Sequence, residues 1–178
     1  DRWGGSLENR ARLLVEVIRA IKQRCGKDYP AWCRIDGIEF LTEGGITHED
    51  ARDTARMAEA AGADAIHVSS YADASKGESF TAAHTTHKPC GFVDYAAGIK
   101  SAVNIPVITA GRIEPEIGDR LIRQGRIDFV TMGRKLLADP ELPRKIREGR
   151  AHEIRPCIYC YTCISQIFVN RSVICAVN

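Results

Sequence analysis

What this 178-residue sequence lacks narrows it first. No apolar run approaches the ~20 residues that cross a bilayer as a helix, so nothing in it reads as a membrane anchor. No basic stretch followed by an apolar core and a cleavage site opens the chain, which leaves export unsupported. Net charge is almost absent. The 25 Lys and Arg stand against 23 Asp and Glu, leaving +2, too near balance to argue for nucleic acid or an anionic membrane as partner. Methionine is scarce, with two in all and none in first place. Because the chain begins at Asp1, the expectation is a processed chain or a piece of a longer one. What is present, 44% hydrophobic and 27% charged residues, is the composition of a globular domain, expected in the cytoplasm.

Cysteine is unevenly spread. Cys25, Cys33 and Cys90 lie apart in ordinary segments, whereas Cys157, Cys160, Cys163 and Cys175 crowd into "CIYCYTCISQIFVNRSVIC". Disulfide frameworks of small secreted proteins distribute their cysteines along the chain, so bunching favours metal binding in a reducing compartment. The spacing is C-x2-C-x2-C-x11-C. Structural zinc usually takes two separated two-cysteine knuckles. Three thiols in one tight run with a distant fourth are closer to a loop wrapped around an iron–sulfur cluster. Thiolates suit both metals, and spacing alone leaves zinc open.

The rest of the chain alternates helix and strand patterns. "SLENRARLLVEVIRAIKQRCG" carries apolar residues at three- and four-residue steps, with Ser6 as N-cap and Gly26 as stop. "DYPAWCRI" reads as a strand ending at Arg34. "THEDARDTARMAEAAG" reads as a helix opened by Thr47, and "ADAIHVSS" as a strand. The polar stretch "YADASKGESFTAAHTTHKPCG" is long for a passive connection. Then come helix "FVDYAAGIKSAV", strand "IPVITAG", helix "EPEIGDRLIRQG", strand "IDFVTMG" and helix "DPELPRKIREGR". The order αβαβαβαβα with apolar strands predicts an α/β fold with a parallel sheet, either an open doubly wound sheet or part of a (β/α)₈ barrel.

The chemistry-bearing residues follow the strands. Arg34, Ser69, Ser70, Gly111-Arg112 and Gly133-Arg134 are all expected just past strand ends, the edge where either architecture gathers its site. A glycine lets backbone approach a ligand closely, and an arginine beside it offers paired donors to phosphate. One such corner is an ordinary strand end with a surface ion pair. Two in successive units point to a phosphate-bearing cofactor.

Taken together, "DRWGGSLENRARLLVEVIRAI", "CRIDGIEF", "EGGIT", "AAGADAIHVS", "IPVITAGRI" and "DFVTMGRKLLADPELPRKIREGR" resemble the old yellow enzyme family. The likeness is strongest to its long iron–sulfur branch of 2,4-dienoyl-CoA reductase, 2-enoate reductase and trimethylamine dehydrogenase. The resemblance implies the C-terminal half of a (β/α)₈ TIM barrel over residues 1–150, holding strands five to eight. Residues 151–178 would form a [4Fe–4S]-binding segment bound by Cys157, Cys160, Cys163 and Cys175. One residue fewer separates the second and third cysteines than in dienoyl-CoA reductases. By the same resemblance Gly111, Arg112, Gly133 and Arg134 hold the FMN phosphate, and Arg34 lies near the flavin pyrimidine. FAD and the NAD(P)H site would lie in a further C-terminal region.

The implied activity is NAD(P)H-dependent reduction of an activated C=C bond in an enoate, a dienoyl-CoA or a steroid or bile-acid enone. The partners are then small molecules, with no nucleic acid and no membrane; a homo-oligomer is compatible with this reading. In the long loop His84 and His87 are the candidate proton donors, although counting back from "GFVDYAAGIK" puts Lys76 at the family's histidine position. His67, between Ile66 and Val68, reads as a structural strand residue. Two alternatives stand beside this one: an amine dehydrogenase of the same family, and a zinc-stabilised α/β binding module without redox chemistry.

Overall fold

The computed structural model describes residues 2–72 and 89–178. Helix α1, Leu7–Cys25, starts where the Ser6 hydroxyl accepts from the Asn9 N–H and stops at Gly26. Helix α2, His48–Ala60, opens with a capping box: Thr47 Oγ1 accepts from the Asp50 N–H, and the Asp50 carboxylate accepts from the Thr47 N–H. Helices α3, Val93–Lys100, and α4, Pro115–Arg123, follow. Strands β1, Trp32–Phe40, β2, Ala65–Ala72, β3, Val107–Thr109, and β4, Phe129–Val130, alternate with them. All pairings are parallel, in the order β1-β2-β3-β4. Each crossover helix returns the chain to the starting edge, which is why neighbouring strands run the same way.

Among the described residues one packed unit spans 2–72 and 89–131, and a second spans 132–178. In the first, α2 turns Ala51, Ala55 and Ala58 inward, none more than 1% exposed. Such small side chains let the helix sit close on β1. Ile66, Val68, Ile99 and Val107 complete a dry layer between sheet and helices. Burying each such side chain contributes about 1.5–3 kcal/mol. Strand alternation sends Cys33, Ile35, Ile66 and Val68 to that layer. Arg34, Asp36, His67 and Ser69 therefore share the opposite face, with Arg34 aligned to His67 and Asp36 to Ser69.

Two expectations about strand ends change. Arg34 was expected to close its strand, but β1 runs on to Phe40 with a register shift between Asp36 and Glu39. Gly37 is what allows this, since a Cβ there would meet Tyr95 Cβ at 2.8 Å and Val68 Cγ1 at 3.0 Å. Ser69 and Ser70 likewise lie inside β2. Their burial is tolerated in part because Ser69 Oγ donates to Asp36 Oδ1 at 2.6 Å.

The second unit holds α5, Arg134–Ala138, α6, Leu142–Arg147, a 3₁₀ turn at Ala151–Glu153, and α7, Thr162–Phe168. Asp139, fully buried, organises it. Lys145 Nζ donates to its Oδ2 at 2.6 Å, the Arg155 N–H donates to the same oxygen at 2.9 Å, and the Glu141 N–H donates to Oδ1 at 3.1 Å. These donors hold the carboxyl at about 2, with the Lys145 hydrogen bond the largest cause. The chain is thereby pinned two residues before Cys157. No helix among the described residues is long and apolar enough to cross a membrane.

Candidate functional site

In the first unit the candidate side chains Arg34 and His67 sit on the sheet face away from the helices. Arg34 is exposed there, while the His67 ring beside it is half-buried, with Nε2 lacking a hydrogen-bond partner among the described residues. Burial, and then the positive charge of Arg34, lower the His67 pKa, so its neutral form is favoured. A neutral imidazole beside a permanent cation, on an otherwise polar face, is an arrangement for meeting an electron-rich ligand. The sequence reading treated His67 as structural. Its period-2 relation to Ser69 and its register with Arg34 place it on the polar sheet face, a position that a structural strand histidine also allows.

The first Gly-Arg corner lies directly after β3. Gly111 has φ +105° and Arg112 φ +57°, so both residues occupy the left-handed half of conformational space. For arginine this costs about 1–2 kcal/mol. The Gly111 carbonyl accepts from the Cys90 N–H at 2.9 Å, which fixes the turn. A Cβ at 111 would stand 3.2 Å from Phe92 Cδ2. Glycine is needed here on both counts.

The second corner, in the other unit, differs. Gly133 has an ordinary negative φ, and a Cβ there would meet nothing within 4 Å. The protein's own packing does not demand glycine at 133, and the space left open beside it suits a ligand. Arg134 follows with its guanidinium carbon 5.0 Å from the Tyr159 ring centre and 5.3 Å from that of Tyr161. Its Nη1 is buried and has no hydrogen-bond partner among the described residues. A buried guanidinium nitrogen without an acceptor is costly, and a phosphate oxygen is the chemistry that satisfies it.

The four crowded cysteines come together. Cys157, Cys160, Cys163 and Cys175 all line one small pocket, and none is in a disulfide. Arg134, Tyr159 and Tyr161 line it too. Cys163 is buried and Cys160 exposed. Thr162 Oγ1 lies 3.3 Å from Cys160 Sγ, and this contact lowers the thiol's pKa toward the ligating thiolate. Among the described residues no three candidate ligands already sit at metal-binding distance. Four thiols around one cavity fit a thiolate-ligated metal centre, which draws its ligands together as it binds. Cys33 has the opposite environment: burial pushes its thiol up to about 11, which marks it as inert. Tyr159 and Tyr161 line the same pocket but do not stand out in the sequence reading, although their interleaving with the cysteines is visible there. His84, His87 and Lys76 lie outside the described residues.

The family model described as the NADH:flavin oxidoreductase / NADH oxidase family matches residues 1–153. The chain belongs to that family. Its parallel sheet corresponds to part of the TIM barrel of that family.

Over its whole length the chain is 44% identical to an NADH oxidase of Thermoanaerobacter brockii and 37% identical to a cinnamate reductase of Clostridium sporogenes. It covers 27% and 29% of those proteins. The structure of a 2-naphthoyl-CoA reductase complex superposes with TM-score 0.90 at 36% identity, covering 100% of this chain and 27% of that one. Histamine dehydrogenase from Rhizobium sp. 4-9 superposes with TM-score 0.86 at 32% identity, covering 100% and 25%. The chain thus spans about a quarter of the length of the curated relatives it matches.

Proposed function

We propose that this chain supplies the FMN-binding half-barrel (residues 1–150) and the [4Fe–4S] segment (residues 151–178) of an NAD(P)H-dependent flavoprotein reducing an activated C=C bond. The observation that carries the reading is the convergence of four thiols and Arg134 on one cavity in a chain of the flavin oxidoreductase family. The likeness to a cinnamate reductase and a naphthoyl-CoA reductase supports an enoate or CoA-thioester substrate. When bound, the flavin would supply hydride to the alkene and exchange single electrons with the cluster. FAD and the NAD(P)H site belong, on this proposal, to the remainder of the protein.

The chain's own residues then have distinct tasks. Gly111 shapes the turn that carries Arg112, Gly133 leaves open space beside Arg134, and each arginine offers a positive charge to a cofactor phosphate. Arg34 would be the residue that stabilises negative charge on the flavin as it is reduced. His67, kept neutral, offers a hydrogen bond without adding a second charge beside Arg34. Cys157, Cys160, Cys163 and Cys175 ligate the cluster. His84 and His87 remain the proposed proton donors.

The test is iron, acid-labile sulfide, zinc and flavin content of the full-length protein purified without oxygen. About four irons with matching sulfide and bound FMN support the proposal. One zinc per chain without flavin would replace it with the structural-module reading. A second reading, amine dehydrogenation, is favoured by the likeness to histamine dehydrogenase. Reoxidation of the NADH-reduced protein by an enoate argues for the first, whereas flavin reduction by amines argues for the second.

A further inference from the structure

The geometry points to a coupling between the phosphate corner at Gly133-Arg134 and the cysteine loop. We propose that Tyr159 and Tyr161 are positioning residues that aim the Arg134 guanidinium at the cofactor phosphate while the loop is folded around its metal. FMN and the metal centre then tighten each other's binding. The inference rests on the flavin and iron–sulfur reading above.

The two tyrosines alternate with the ligands: Tyr159 precedes Cys160, and Tyr161 follows it. Both have positive φ, 53° and 64°, a conformation that bulky L residues adopt only when the surroundings impose it. The shape of the cysteine loop therefore sets where the two rings stand. Those rings lie 5.0 and 5.3 Å from the Arg134 guanidinium carbon, close enough for cation–π attraction. A π face attracts the charge but leaves the in-plane N–H donors unspent, in keeping with the buried, unpartnered Nη1. Arg134 is thus held in place with a donor in reserve.

On this proposal a loop released from its metal is freer to leave those φ values, and the guanidinium regains its rotamers. Phosphate binding must then re-order it. Reciprocity requires the same factor in the other direction: bound phosphate resists loss of the metal.

The test uses the full-length protein, stripped of flavin, with FMN and riboflavin as paired probes in fluorescence-quenching titrations. Riboflavin lacks the phosphate. Tyr161→Leu, and the double variant Tyr159→Leu/Tyr161→Leu, should weaken FMN about tenfold, or about 1.4 kcal/mol. Riboflavin should bind unchanged, and Tyr161→Phe should restore FMN affinity. Chelating the metal from the wild-type protein should give the same selective loss. Equal weakening of FMN and riboflavin would reduce the tyrosines to general packing and overturn the proposal, as would unchanged FMN affinity in the leucine variants. Wild-type protein binding neither iron nor FMN would instead sink the functional reading, and this inference with it.

Discussion

Replacing Gly111 by alanine tests the proposed phosphate role of the first Gly-Arg corner most directly. At φ +105° an alanine pays about 1–3 kcal/mol of backbone strain. Against this, removing a glycine stiffens the unfolded chain, which returns about 0.4–1 kcal/mol. The new Cβ also comes 3.2 Å from Phe92 Cδ2, and Phe92 is only 5% exposed, so it has little room to retreat. The net cost is about 1–2 kcal/mol. Relief comes most easily by rotating the peptide between residues 110 and 112. That breaks the 2.9 Å bond from the Cys90 N–H to the Gly111 carbonyl and swings Arg112 out of place.

If this corner holds phosphate, the same energy reappears in binding as a five- to thirtyfold weaker FMN, with riboflavin much less affected. The assay is fluorescence quenching on the deflavinated full-length protein. Gly125→Ala is the control, because Gly125 also has positive φ, +68°, but nothing within 4 Å of its Cβ. It should cost stability while leaving FMN affinity within twofold. A Gly111→Ala protein that binds FMN within twofold of wild type would refute the phosphate role of this corner.

Four further outcomes are expected. Cys163→Ala should abolish stoichiometric iron, while Cys25→Ser, at an exposed thiol on α1, should leave it unchanged; metal analysis reads both. Asp139 has a folded pKa near 2 against an ordinary 3.8, so its contribution to stability is complete above the higher value and is lost as pH falls through the lower. The difference in acid unfolding between wild type and Asp139→Asn should accordingly shrink between about pH 4 and pH 2, and a constant difference would contradict the assignment. Arg34→Gln should raise the His67 pKa, though not to its ordinary value because burial is the larger cause, as read by NMR of labelled histidine. Gly98→Ala should destabilise by about 1–2 kcal/mol in urea unfolding. Its Cβ would collide with the His48 ring, which is bonded through Nδ1 to the Gly37 carbonyl, and that loss outweighs the ~1 kcal/mol helix gain.

The sequence was most legible where local chemistry dictates local structure. Ser6, Thr47 and Gly26 mark helix ends because backbone N–H and C=O groups need partners at those positions whatever the rest of the chain does. Strand ends were harder. The polar run Asp36-Gly37 looks like a turn, yet β1 continues through it because Gly37 fits beneath Tyr95 and Ser69 satisfies Asp36. Both partners are distant in sequence, so no window around Asp36 could reveal them. Helix α5 went unseen for a similar reason: five residues are too short to draw an apolar stripe. The cysteines were conspicuous by spacing. Their neighbours Tyr159 and Tyr161 were not, because an aromatic beside a cysteine declares nothing until a cation from another segment is seen above it.

That contrast bears on the two Gly-Arg corners, each taken within its own unit. In the first corner, backbone strain and steric need fix glycine at 111, so the turn is built by the chain itself. In the second, no described residue near Gly133 requires glycine, and Arg134 lies beside the Tyr159 and Tyr161 rings, which on our proposal take their places from the cysteine loop. One corner is thus self-sufficient and the other conditional. On the proposed function, FMN affinity would then have one part that Gly111-Arg112 supplies unaided and another that depends on the cysteine loop being folded.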